Sequence, residues 1–222
     1  MLYTAETNVM LPKENGAFYC GTSIMDEFPE FERRSLDALR QPLEDKVVSI
    51  ARIQGTALFP ANFVLVAAMN PYRGREDGTQ NLLRAMQETY QGKISGPILD
   101  RIDLWIEVPH VDYTTLSQQR TTAEETRTAQ NQIIAARERQ AARLSPYGIF
   151  TNGDMTSRDL DTCITLTPDV KNLLHESATR LNLSPRSFHR LIKVARTIAD
   201  LAEAELITTA HVLEALHYRI PT

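Results

Sequence analysis

The chain reads as an α/β layer up to about residue 112, followed by a part built from helices alone. Three features carry that reading. "FVLVAAMNP" (63–71) is a nearly continuous apolar run closed by Asn70-Pro71, the pattern of a buried parallel strand whose polar end meets a loop. "FERRSLDALRQPLED" sets Phe31, Leu36, Leu39 and Leu43 at helical spacing ahead of that strand, and helix between strands makes an α/β layer. The last third holds Thr167-Pro168 and Ser184-Pro185, each an N-cap residue before a proline suited to the first helical position.

In chain order, "CGTSIM" (20–25) is a short uncharged run that ends at Asp26-Glu27 and turns through Phe28-Pro29. The helix that follows is expected to stop near Pro42. "KVVSIARIQGTALF" has β-branched residues on both sides of Gln54-Gly55, which predicts a hairpin turning at that glycine. After the strand at 63–71, a third apolar run, "LWIEVP" (104–109), follows Asp100-Arg101-Ile102-Asp103. Thr122 and Glu125 form a capping-box pattern ahead of a long polar helix to about Leu144, and "SPYGIFTNGD" carries loop signals. Thr208 is a cap for the last helix. No internal repeat or low-complexity tract is visible.

Composition narrows the class. The 222 residues are 42% hydrophobic and 23% charged, ordinary for one large globular domain or two small ones. No uncharged apolar run approaches the ~20 residues of a membrane span, and no basic start precedes an apolar core, so a cytoplasmic, non-membrane protein is expected. Cys20 and Cys163 match no metal spacing, which argues against a zinc site or a disulfide framework. The net charge of -4 is neutral evidence on nucleic acid, because a local basic face can coexist with an acidic whole.

The acidic pair is the first candidate site. Adjacent ionised carboxylates repel each other and gain little from burial, so a positive partner is expected beside Asp26 and Glu27. Taken bare, such a pair is more often a solvated surface feature than a catalytic one. A strand ending in Asp-Glu with a second ending in Asn is, however, the arrangement of ring-forming nucleotide hydrolases, where the partner is magnesium.

"DEFPEFERRSLDALRQPLED", "FPANFVLVAAMNP" and "SGPILDRIDLWIEVP", in this order and spacing, resemble the magnesium-chelatase-like AAA+ ATPases of the ComM/YifB type. The resemblance covers residues 16–222 and implies a partial P-loop-type parallel sheet, with an ATPase core over residues 1–112 and a helical lid over 113–222. It implies ATP and Mg2+ as cofactors. Asp26 matches the Walker B aspartate that holds magnesium through water, and Glu27 the glutamate that polarises the attacking water. Asn70 matches the sensor-1 residue; its alternative is a strand-ending turn residue before Pro71. Arg101 matches an arginine finger delivered across a subunit boundary, the alternative being a surface arginine paired with Asp100 or Asp103. Arg186 takes the place of the sensor-2 arginine in the lid. It stands in a helix first turn, which electrostatically prefers anions, and that oddity favours a phosphate partner. The hairpin resembles one that touches DNA in related ring helicases, with Lys46 and Arg52 as its cations; the alternative is a hairpin packed on its own subunit. The Arg-rich helix 125–143 reads as a solvated helix with both charge signs interleaved, the alternative being a face for nucleic acid.

Departures from the family pattern shape the functional expectation. The sequence contains no G-x-x-x-x-G-K-[ST], the loop that holds the β- and γ-phosphates. "CGTSIM" has Gly, Thr and Ser where an aliphatic run is usual, and "YRGREDGTQNLLRAMQETYQGK" lacks the cysteine-rich loop common there. The chain is therefore expected to be the C-terminal half of such an ATPase, with signs of decay, inactive alone. It would act in a homo-oligomeric ring of six with a Walker A-bearing chain, coupling ATP hydrolysis to DNA branch migration. The alternatives are a non-catalytic remnant that only docks onto intact subunits, and a chelatase motor subunit. An uncovered parallel strand edge is aggregation-prone, so poor solubility is expected.

Overall fold

The computed structural model describes residues 20–52, 55–69, 94–108 and 123–219. The chain divides into two compact units, Met1–Ile102 and Asp103–Thr222. The first is mixed α/β with a small parallel sheet and the second is helical, a combination compatible with a partial AAA+ fold.

In the first unit, β1 (Cys20–Met25) and β4 (Asn62–Ala67) pair in parallel, in register from Cys20↔Asn62 to Met25↔Ala67. The pairing runs past the strand ends, where the Ala68 amide donates to the Met25 carbonyl at 2.8 Å and the Phe28 amide to the Ala68 carbonyl at 3.0 Å. One face packs Met25 and Leu65 against buried Phe28, Leu36, Ile94 and Ile98. The opposite face carries Ile24, Val64 and Val66, which are 70%, 62% and 47% exposed. The strand at 62–67 is thus covered on one side among the described residues, where the unbroken apolar run predicted burial on both.

The helix expected to stop near Pro42 is two short helices, α1 (Arg33–Ala38) and α2 (Arg40–Asp45). Leu39 restarts the spiral, so Pro42 falls in the first turn of α2. Amides there have no intrahelical acceptor to lose, and the proline is tolerated. The hairpin forms as β2 (Val47–Arg52) against β3 (Gly55–Pro60), antiparallel. Gly55 pairs with Arg52 and so belongs to β3 rather than to the turn; its φ of 136° is open to glycine and strained for other residues. A one-turn helix, α3 (Gly96–Leu99), precedes Arg101.

In the second unit, residues 103–108 form no strand. This stretch instead bonds to its own unit, with the Trp105 amide donating to the Tyr218 carbonyl at 2.8 Å and Arg190 holding Asp103 at 2.9 Å. Among the described residues five α-helices follow: α4 (Ala123–Leu144), α5 (Ser157–Cys163), α6 (Pro168–Arg180), α7 (Pro185–Leu201) and α8 (Thr209–His217). Helix α7 is central, because Leu191, Ala195 and Ala199 are fully buried and the two alanines let neighbours approach closely. Leu144, Leu174, Ile207 and Val212 complete the core around it.

The expected caps at Thr167, Ser184 and Thr208 stand at helix starts. Ser184 Oγ accepts from the Ser187 amide at 3.2 Å, and the Thr208 amide donates to Nδ1 of His211 at 3.1 Å. The cap expected at Thr122 lies outside the described residues. Among the described residues no helix is long and apolar enough to cross a membrane.

Candidate functional site

The acidic turn of the first unit follows directly from the β1 register. The chain leaves β1 after Met25 and enters a short 3-10 helix at Phe28–Glu30, with Phe28-Pro29 buried while Asp26 and Glu27 stay exposed. Burying the aromatic behind the pair is what fixes its direction. Glu27 adopts φ 50°, ψ 43°, a left-handed conformation that costs a non-glycine residue about 1–2 kcal/mol. Its amide donates to Asp26 Oδ1 at 2.9 Å. One carboxylate oxygen of Asp26 is thereby oriented, and the other remains available. Strain of this kind clusters at functional turns.

Arg101 is found in a different setting from either expectation's surface partner. Neither Asp100 nor Asp103 is its counterion; the guanidinium donates to the Pro97 carbonyl and to Oε2 of Glu44 on α2. Its side chain is only 8% exposed. Glu44 was not singled out from the sequence, since a carboxylate 57 positions away leaves no local signal. Lys46 is half-buried at φ 56°, capping α2, and its carbonyl accepts from the Ala61 amide at 2.7 Å to close the hairpin base. Arg52 ends β2 opposite Gly55. Asn70 lies outside the described residues.

In the second unit, Arg186 is exposed at the second position of α7, directly after Pro185. The dominant polar feature of this unit is elsewhere and was not anticipated. Arg143 donates to both oxygens of Asp200 at 2.8 Å, Asn152 Nδ2 donates to Oδ2 at 2.8 Å, and Arg196 Nε donates to Oδ1 at 3.1 Å. Arg196 also donates to the Glu205 and Ala204 carbonyls at 2.8 and 2.6 Å. Burial alone would push the Asp200 carboxyl up, but the hydrogen bonds from Arg143 and Asn152 and the charges of Arg196 and Arg143 hold it below the usual carboxylate range. Burial pulls the Arg196 guanidinium down, opposed by Asp200.

Residues 10–116 match the family described as magnesium chelatase, subunit ChlI, and residues 123–219 match magnesium chelatase, subunit ChlI C-terminal. The chain is 39% identical over 210 residues to the uncharacterized protein YifB of Salmonella typhimurium, and 40% identical over 201 residues to the competence protein ComM of Haemophilus influenzae. The chain belongs to the magnesium chelatase family, in its ComM/YifB group. The family expected from "DEFPEFERRSLDALRQPLED" is the one found. The match to YifB takes in 94% of this magnesium-chelatase-type chain and 41% of that protein; for ComM the shares are 90% and 39%. The chain thus spans about two fifths of the length of these relatives. A shorter similarity, 33% over 85 residues, reaches the DNA replication licensing factor Mcm6 of Drosophila melanogaster, taking in 38% of this chain and 10% of that protein.

Proposed function

We propose that this chain is the C-terminal portion of a ring-forming magnesium-chelatase-type AAA+ ATPase that, when complete, couples ATP binding and hydrolysis to DNA remodelling. The observation that carries the reading is the parallel pairing that ends at Met25↔Ala67, with the acidic pair immediately after it. Ligands of open parallel sheets gather at the carboxyl ends of the strands.

On this reading residues 1–112 are the ATPase core and 113–222 the lid. Asp26 holds magnesium through water and Glu27 polarises the attacking water. Asn70 orients that water, Arg101 is the finger for a neighbour's nucleotide, and Arg186 faces the phosphates. The exposed carboxylate of Asp26 suits a hard cation. No group of three His, Cys, Asp or Glu that could hold a metal occurs among the described residues, and magnesium on a nucleotide asks for one or two carboxylates, with waters and phosphate oxygens completing its shell. Bound there, the ion neutralises charge on the β- and γ-oxygens.

The 222 residues contain no G-x-x-x-x-G-K-[ST], so the site needs a Walker A-bearing chain, within a ring of six such subunits in the cytoplasm. One relative is named a DNA replication licensing factor and another a competence protein, which supports DNA over a porphyrin as the substrate. Lys46 and Arg52, on the hairpin, are the candidate DNA contacts, and branch migration during natural transformation is the process proposed. A second reading is a non-catalytic remnant that only docks onto intact subunits.

Mixing the chain with an intact relative tests both readings. A finger is worth a factor of about 10³ or more in rate. The wild-type chain should therefore change the relative's ATP hydrolysis in a way that Arg101→Ala abolishes. A chain that incorporates and only poisons the ring, regardless of residue 101, is a remnant. No co-sedimentation and an unchanged rate would sink both readings.

A further inference from the structure

The guanidinium of Arg101 is held within its own unit: the Pro97 carbonyl accepts from Nη1 and the Glu44 carboxylate from Nη2, while the side chain is 8% exposed. Its Nε is buried and has no hydrogen-bond partner among the described residues. A guanidinium has five donors, and leaving a buried one empty is unfavourable. That donor therefore calls for one more acceptor oxygen than the described residues supply. Glu44 lies on α2, shortly before Lys46 bends the chain into β2.

We propose that Glu44 is a positioning residue for Arg101, a carboxylate that keeps the guanidinium folded against α2 until an anionic oxygen from outside the chain replaces it. This deepens the reading of Arg101 as a finger and rests on it. Release is an exchange of one oxyanion for another. A carboxylate carries one negative charge, whereas a phosphoryl group offers more charge and the same fork-compatible oxygens. The exchange is uphill when no phosphate is present and favourable when one is, so Glu44 limits the finger to occupied neighbours. Because Glu44 stands at the foot of the hairpin, a pull on β2 and β3 acts on the same carboxylate.

The test is modification of the full chain by an arginine-specific dicarbonyl reagent, read residue by residue by mass spectrometry. Exposed Arg34 is the internal reference and buried Arg196 the control for folding. In the wild-type chain Arg101 should react about tenfold or more slowly than Arg34, the population change expected from a charge-assisted hydrogen bond. Glu44→Gln should bring it to the Arg34 rate with Arg196 still protected, and Glu44→Asp should keep most of the protection. Arg101 as reactive as Arg34 in the wild type overturns the proposal, whatever the variants do. So does protection that survives in folded Glu44→Gln. In mixtures with an intact relative, Glu44→Gln should alter the relative's kcat more than the wild-type chain does, with KM unchanged. Labelling as expected with no kinetic effect of either residue would instead strike down the finger reading, and the gating role with it.

Discussion

Arg196 and Asp200, one helical turn apart on α7, are both buried and meet at 2.9 Å. Asp200 also receives Arg143 and Asn152, so a single carboxylate offsets two guanidinium groups inside the second unit. Removing one partner of a buried ion pair leaves the other charge uncompensated, which costs far more than the pair contributes net.

Asp200→Asn should therefore destabilise the second unit by about 3–5 kcal/mol at neutral pH. Its carboxyl is held below the unfolded value of about 3.9. The sign follows: the stabilisation is complete above about pH 4 and is lost as pH falls through the folded pKa. Urea melts between pH 7 and pH 2 should show the wild type converging on Asp200→Asn as the pH drops. Parallel curves would refute the assignment.

The purified chain should hydrolyse ATP negligibly. Asp26 can help hold magnesium, but the contacts that grip the β- and γ-phosphates are missing from these 222 residues. A phosphate-release assay checks this, and robust turnover abolished by Glu27→Gln would contradict it.

Glu27→Gly should leave the first unit as stable as the wild type or up to about 1 kcal/mol more so, because the left-handed backbone no longer crowds a Cβ. Glu27→Val should cost more than that gain. Thermal melts of the two variants separate these outcomes, and equal effects would show that the turn is not held at positive φ.

Thr156→Ala should cost about 0.5–1 kcal/mol by uncapping α5, where the Asp159 carboxylate accepts from the Thr156 amide and hydroxyl, each at 2.7 Å. That backbone hydrogen bond, then the one from the hydroxyl, lowers the Asp159 pKa. The cap should accordingly persist above the ordinary carboxylate range and loosen as pH falls through the folded value. Chemical denaturation of the variant at neutral and acid pH reports both.

What was legible in the sequence was local. Pro168 and Pro185 mark helix starts because their effect is written within one turn, and the Leu144 end of α4 was read for the same reason. Helix α5 was missed, since "SRDLDTC" offers one buried leucine and its Thr156-Asp159 capping box follows directly on the loop signals of "SPYGIFTNGD". "LWIEVP" looked like a strand from its composition alone, but a strand needs a neighbour, and Trp105 finds the end of α8 instead. Of the site, Asp26 and Glu27 were readable as a motif, while their exposure above buried Phe28 was not. Glu44 for Arg101, and Arg143 and Asn152 for Asp200, are tertiary meetings that no spacing announces. Only Arg196 and Asp200, at i and i+4, could have been paired by eye.

The parallel register of β1 and β4 has a kinetic consequence. Cys20 and Asn62 are about forty residues apart, so the chain must close a large loop before that pairing gains anything, and non-local pairing of this kind slows folding. Helices α7 and α8 are adjacent in sequence, pack against each other and can form early. During refolding, that helix pair can thus form while Met25 and Leu65, which the paired strands cover, are still exposed, a window in which those apolar side chains can associate between molecules.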